Sequence, residues 1–397
     1  MAFYNTKFNF NKYDVIVLLI GLYSFTTLTQ SLYPVSANRI VVACIAVLML
    51  VSKSKKKSDL LLFLYLALAL FSSIILAQNF RSNLSDFIYF AVAIIQLSCF
   101  SGLGNWENFY NAYKKLYFLL NKIVFIDLIV IIAAFFCPTS YVQHWGEGVY
   151  LYGFTESAHA MASSCCLSMS MMMLTLIERK FSLFYFALFG FYGIVVLKTG
   201  ARVFIIPVAI LLYYYIQQKI ANKKIQLGVY IMTAAAFIIF FINSSMMQKF
   251  IYAFNDPYNN YSILASLTSR RSAFWLIDLK DFIASGITKM FIGHGFDYIY
   301  ALNLKMIGME IWAHNDFINI LIAAGLLGLF IYIFYLLKVM RVAFKWNSRI
   351  NKILILIYVM FPALMNGFYP YYHYFSSFFF FMLTMYVHYK ERLWKTN

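Results

Sequence analysis

Histidine and an amide stand side by side at His314-Asn315, with Gly325 ten residues beyond the amide and Gly328 three after that. An unperturbed imidazole titrates near 6.5, so at neutral pH it can take a proton from a hydroxyl or donate to an anion. Asn315 can orient that imidazole or a ligand hydroxyl. Asp316 leaves the helix face that His314 occupies and ranks below it. Three arginines complete the set. Arg202 closes Lys198-Thr199-Gly200-Ala201-Arg202, and Arg270 and Arg271 are adjacent. A guanidinium offers a planar fork that matches phosphate oxygens, although an arginine at a helix end also serves as an interfacial anchor. Adjacent helical positions diverge by about 100°, so one of Arg270 and Arg271 faces a ligand and the other meets solvent or headgroups. Which one is left open. Weaker candidates are Glu156 and His159, His294 between two glycines, and Tyr371, Tyr372 and His373. For the tyrosines an aromatic belt at the membrane surface is the plainer role. No His or Cys pair has ligand spacing and no Asp-x-Asp occurs, so neither a metal nor another cofactor is expected.

The elements that position these groups must be membrane helices. Hydrophobic residues make up 63% of the 397 and charged ones 12%, whereas a soluble domain carries about a quarter charged residues. The chain reads as an all-α polytopic membrane protein. About twelve apolar runs approach spanning length: 14–33, 38–52, 60–78, 86–101, 117–137, 158–177, 181–198, 202–217, 227–245, 315–337, 353–369 and 374–389. Lysine and arginine cluster in alternate connections, among them Lys114, Lys115, Arg179, Lys180, Lys219, Lys223, Lys224, Lys338, Arg341 and Lys345. The positive-inside bias then puts both termini in the cytoplasm and the candidate residues outside. The net charge of +17 is spread over these clusters, without a basic stripe on a soluble domain, so nucleic acid is not an expected partner. The first run, Val15 to Leu32, is long for a signal peptide and reads as an uncleaved span. Cys44, Cys99, Cys137, Cys165 and Cys166 form no C-x-x-C pair and read as small apolar residues.

One connection is long. Residues 246–313 should form an outer loop carrying an interfacial helix, Ser269 to Ser285, between nine spans in 1–245 and three in 314–397. Within span five, Asp127 is expected to pair with Lys122.

The blocks Thr199-Gly200-Ala201-Arg202, Ser269-Arg270-Arg271 to Trp275 with Gly293-His294-Gly295, and His314 to Gly328 resemble the signatures of the O-antigen ligase/polymerase superfamily of membrane glycosyltransferases. The resemblance covers roughly 195–340 by motif and the whole chain by topology, and is nearest to an O-antigen polymerase (Wzy-type). It implies a GT-C-like fold of about 12 transmembrane helices with one large periplasmic loop in the bacterial inner membrane. It also implies an undecaprenyl-diphosphate-linked oligosaccharide as substrate, with membrane lipid and a chain-length regulator protein as further partners. Arg202 and one of Arg270/Arg271 would hold the diphosphate, His314 would serve the acceptor hydroxyl, and transfer would be inverting and metal-independent. A ligase that moves the finished glycan to lipid A-core shares these motifs. A lipid-linked oligosaccharide flippase is the rival from another class, although it predicts charges lining the middle of many spans. The paired R-x10-G and H-x10-G pattern of some polymerases is half present: His314 to Gly325 fits, and no arginine among Arg81, Arg202, Arg270 and Arg271 does.

Overall fold

The computed structural model describes residues 10–33, 37–52, 57–143, 148–255 and 271–396. Arg270 and the start of the expected loop helix lie outside them. Each of the twelve apolar runs is matched by a helix: α1 Lys12–Leu28, α2 Ala37–Ser52, α3 Lys57–Leu76, α4 Phe80–Phe100, α5 Leu103–Phe136, α6 Ala158–Thr175, α7 Leu183–Thr199, α8 Ile205–Lys219, α9 Lys223–Ile242, then α14 Asp316–Lys345, α15 Arg349–Met365 and α16 Tyr372–Thr396. Between α9 and α14 come α10 Ser245–Asn255, α11 Arg271–Ala284, α12 Ile287–Ile292 and α13 Tyr298–Ile307. A two-stranded hairpin, β1 Tyr141–Gln143 with β2 Val149–Leu151, interrupts the helices. Among the described residues four helices, α4, α5, α9 and α14, are long and apolar enough to cross a membrane.

Helices α6 and α16 form the centre and are buried on every side. The run Phe378 to Leu383 is 0% exposed throughout. They pack closely because α6 supplies small residues, Ser163, Ser164, Ser168 and Ser170 among them. The hydroxyl of Ser377 donates to the Cys166 carbonyl at 2.8 Å. At the rim the pattern inverts. Leu227, Ile231, Met232, Ile238 and Ile239 of α9 and Leu60, Leu64, Phe71 and Ile75 of α3 are exposed, an apolar surface suited to lipid rather than water.

The bundle has two distinct ends. At one, Lys115 pairs with Asp14 at 3.1 Å and Lys390 with Glu107 at 2.6 Å. Nearby, Lys219 donates to the carbonyls of Leu176, Ile177 and Arg179 at 2.6–2.7 Å. The other end holds the N-termini of α6, α14 and α16. Partway between, Asp127 accepts the Ser24 hydroxyl at 2.5 Å. The expected Asp127–Lys122 pair does not form; Lys122 extends over the Phe118 ring, 4.6 Å from its centroid. A serine across the α1–α5 contact reaches the buried acid, whereas a lysine one turn away along α5 points outward.

Helix α14 is not the continuous rod its composition implies. At Gly325 the backbone turns to φ 68°, ψ −170°, and the helix breaks there. The freed carbonyls of Ile322 and Ala323 accept from the backbone N–H groups of His294 and Gly295 at 2.9 and 3.1 Å. The glycines make this approach possible, since a Cβ on Gly293 would lie 2.2 Å from the Ala323 oxygen and one on Gly325 2.3 Å from the Phe291 oxygen. Helix-breaking backbone inside a bundle persists where neighbouring chain re-satisfies its hydrogen bonds.

The loop helix α11 also departs from expectation. Phe274, Asp278 and Phe282 are buried on one face, while Leu276 and Ile283 are exposed. Spacing of four aligns the acid with the two phenylalanines, so Asp278 sits on the packed side rather than among the outward polar groups. Burial pushes its carboxyl up to about 7.

Candidate functional site

Arg202 owes its position to a glycine. Helix α7 ends at Gly200 with φ 68°, where a Cβ would strike the Tyr150 ring at 2.6 Å. The left-handed cap lets β2 lie against the turn, and Arg202 opens a single 3-10 turn before α8. Its guanidinium lies 4.5 Å from the centroid of Phe250 on α10. Helix α10 is tied to β2 by the Ser245 hydroxyl, which donates to the Val149 carbonyl at 2.8 Å. One turn further along α10, Lys249 lies 5.9 Å from the Tyr150 centroid.

Arg271 begins α11 and donates to the carbonyl of Met365 at the end of α15. His314 comes to the same place from α14. Its φ of 52° is the one positive value at a non-glycine among the described residues, a conformation that costs about 1 kcal/mol or more and that the surroundings must hold. Nδ1 lies 3.2 Å from Asn366 Oδ1. An amide oxygen only accepts, so Nδ1 carries the proton and Nε2 keeps its lone pair. The Trp312 ring lies 4.7 Å from the imidazole.

Electrostatics link these groups into one cluster. Burial, then Arg271, His159 and Lys249, push the His314 imidazole well below its ordinary value, against the Asn366 hydrogen bond. The Lys249 ammonium is pushed down to about 7 by burial and then by Arg202 and Arg271. Arg271 falls to about 10, through burial first; Tyr371 opposes the fall and Arg202 adds to it. Arg202 and Arg271 make Lys249 harder to protonate, and Arg202 does the same to Arg271. An anion with two or more charges would reverse all three shifts at once.

Of the residues expected from sequence, Arg202, Arg271, His159, His314 and Tyr371 come together. The Tyr371 ring stacks on His159 at 5.8 Å and meets Phe204 edge-on at 5.9 Å. The others do not join them. Asn315 is the N-cap of α14, accepting from Phe317 and Ile318 N–H at 3.0 and 3.2 Å and donating to the Leu364 carbonyl at 3.1 Å. Its amide is committed to holding the helix mouth against α15. His294 stacks on Tyr298 at 4.3 Å beside the α14 break. His373 is buried, its Nδ1 2.9 Å from the Ser163 hydroxyl. Glu156 is exposed.

Sequence reasoning missed Lys249, Trp312 and Asn366 and set Asp316 too low. Asp316 is fully buried and accepts from the Tyr332 hydroxyl at 2.9 Å and from the N–H groups of Phe368 and Tyr369 at 2.9 and 3.2 Å. It ties the two halves of α14 to the turn that carries Asn366 and Tyr371. The one signal for this hub was Asn366-Gly367, a turn pair near the end of the run read as 353–369. Nothing in the neighbourhood of Lys249 distinguished it from other loop lysines. Among the described residues, no three His, Cys, Asp or Glu side chains converge.

These features define an all-α bundle with a pocket of cations and imidazoles at one end. Compared with protein-family models, curated proteins and solved structures, the chain matches none of them.

Proposed function

We propose that the chain is a membrane glycosyltransferase, an O-antigen polymerase that joins polyprenyl-diphosphate-linked repeat units at the outer face of a bacterial cytoplasmic membrane. The observation that supports this reading is the convergence of Arg202, Lys249 and Arg271 with His314 at the end of the bundle opposite Lys115, Lys219 and Lys390. On this reading all twelve long helical runs cross the membrane, both termini are cytoplasmic, and residues 246–313 cover the outer end.

The cations hold the donor diphosphate. His314 Nε2 takes the proton of the acceptor hydroxyl as its oxygen attacks the anomeric carbon. The bond from that carbon to the diphosphate oxygen breaks, and the electron pair leaves with the diphosphate. One displacement inverts the configuration. Three positive groups around the leaving oxygens stabilise the charge that develops there. Burial first, and then the neighbouring cations, hold the His314 imidazole below its ordinary value, which leaves Nε2 free to take a proton.

A flippase reading has one observation in its favour. Broken helices with half-helix ends facing a site are characteristic of transporters, and α14 is broken at Gly325. The cations lie at one end of the bundle rather than along its middle, which favours transfer over transport. The deciding experiment uses the purified chain in vesicles with a fluorescent lipid-linked repeat. A ladder of longer lipid-linked glycans supports polymerisation; translocation without a ladder supports a flippase. Deleting the gene separates polymerase from ligase, since single repeats on lipid A-core mark loss of the first and bare core loss of the second.

A further inference from the structure

Beside the cationic pocket lies a second compartment of different character. A cavity of about 180 Å³ opens between α4, α13, the start of α14 and the 369–371 turn, lined by Asp86, Tyr300, Trp312, Asn319, Tyr369 and Tyr371 among others. Trp312 and Tyr371 belong to both compartments. The first touches His314 and the second touches His159, and their ring centroids are 6.1 Å apart. The cavity and the imidazole therefore share a wall of two aromatic rings.

Its polar groups are arranged for a ligand with hydroxyls. The Tyr300 hydroxyl donates to one carboxylate oxygen of Asp86 at 2.7 Å. Asn319 donates through Nδ2 to the Tyr369 hydroxyl at 2.6 Å. Its Oδ1 has no partner among the described residues, although Asn319 is only 5% exposed. A buried amide oxygen left without a donor costs about 1–3 kcal/mol, and such groups in native structures are satisfied by a bound molecule. The cavity is smaller than the roughly 300–1,000 Å³ of sites for drug-sized ligands, so it suits a single ring. Aromatic faces accept the C–H face of a pyranose, while a carboxylate and an amide oxygen take its hydroxyl protons. Arg39 acts on Asp86 and Tyr89 from outside the cavity lining, so the carboxylate of a uronic acid would meet Asp86 first and be disfavoured.

We propose that this cavity is the acceptor subsite and holds one uncharged sugar ring, the terminal residue of the acceptor glycan, with its reacting hydroxyl turned past Trp312 toward His314. The proposal rests on the glycosyl-transfer reading for the word acceptor, but the binding of an uncharged sugar ring stands on the cavity alone.

Ligand-observed saturation-transfer NMR on the detergent-solubilised full chain tests it, with methyl glycosides of neutral hexoses, 6-deoxyhexoses and N-acetylhexosamines at about 10 millimolar, an order of magnitude suited to weak single-ring binding. Methyl glucuronide is the charged control. At least one neutral glycoside should give signal in wild type and in Arg202→Ala, and lose it at least tenfold in Asn319→Leu. Asp86→Asn keeps the shape and should weaken binding while admitting the glucuronide. Absence of binding by every neutral glycoside, or binding indifferent to both substitutions, overturns the proposal. Displacement of inorganic pyrophosphate from Arg202, Lys249 and Arg271 is measured in parallel. Pyrophosphate binding without glycoside binding sinks the subsite and leaves the transferase standing. Glycoside binding by a chain that makes no glycan ladder in vesicles and does not bind pyrophosphate keeps the sugar site and sinks the transferase reading.

Discussion

The two ends of this bundle treat positive charge in opposite ways. At one, lysines terminate on acids and carbonyls: Lys390 on Glu107, Lys115 on Asp14, and Lys219 on three backbone oxygens. At the other, Arg202 lies against Phe250 and Lys249 near Tyr150, Arg202 and Arg271 both act on Lys249, and Arg202 acts on Arg271. The first arrangement closes helix ends and fixes the chain. The second gathers like charges in a buried place, and on the proposed function that is where a diphosphate would lie. Equal residue types thus carry structure at one end and, on that reading, binding at the other.

The largest effect should come from exchanging the ends as mutational targets. Arg271→Ala should lower the transfer rate in vitro by about 10²–10³-fold, the loss typical of removing one charge-stabilising donor. Lys390→Ala breaks a partly exposed pair and should stay within about twofold. Product ladders at matched protein levels measure both, and equal losses would break the comparison.

Backbone tolerance should differ as well. Gly293→Ala forces a Cβ onto the Ala323 carbonyl at φ 85°, and should lower stability by about 3 kcal/mol in thermal melts of the solubilised chain. Gly104, at the start of α5 near the other end, has open space where a methyl group would go, with nothing within 4 Å. Its change to Ala should stay within about 1 kcal/mol.

The pH dependence sharpens the contrast. Burial, then Arg202 and Arg271, push the Lys249 ammonium down to about 7, and a bound diphosphate raises it, so binding takes up a proton. Affinity must then fall as pH rises above 7, by about tenfold per unit for one proton. Calorimetry with inorganic pyrophosphate at several pH values, wild type against Lys249→Met, isolates that slope; equal slopes would remove Lys249 from the site. The smallest effect belongs to His294→Ala, within about twofold in transfer rate, because its ring packs on Tyr298 rather than in the pocket. His314→Ala assayed alongside should lose most activity.

The sequence alone settled the coarse shape. A chain with so few charges and so many apolar runs has to be helical, because helices satisfy their own backbone where water is absent, and each expected run is helical. It also put forward Arg202, His314, the pair Arg270/Arg271 without choosing between them, and His159 as a weaker candidate. What it left open was which of them meet. Lys249 enters the pocket because Ser245 ties α10 to β2, a contact between distant stretches of chain that no local pattern records. Asn315 looked like a ligand group and is a helix cap, while Asp316 looked idle and joins both halves of a broken helix to the Asn366 turn. The break itself was hidden, because Gly325 in an apolar run reads as a packing residue until the Phe291–Gly295 backbone lies against it. Composition determines that helices form; only packing between distant segments decides where they bend and which polar groups face one another.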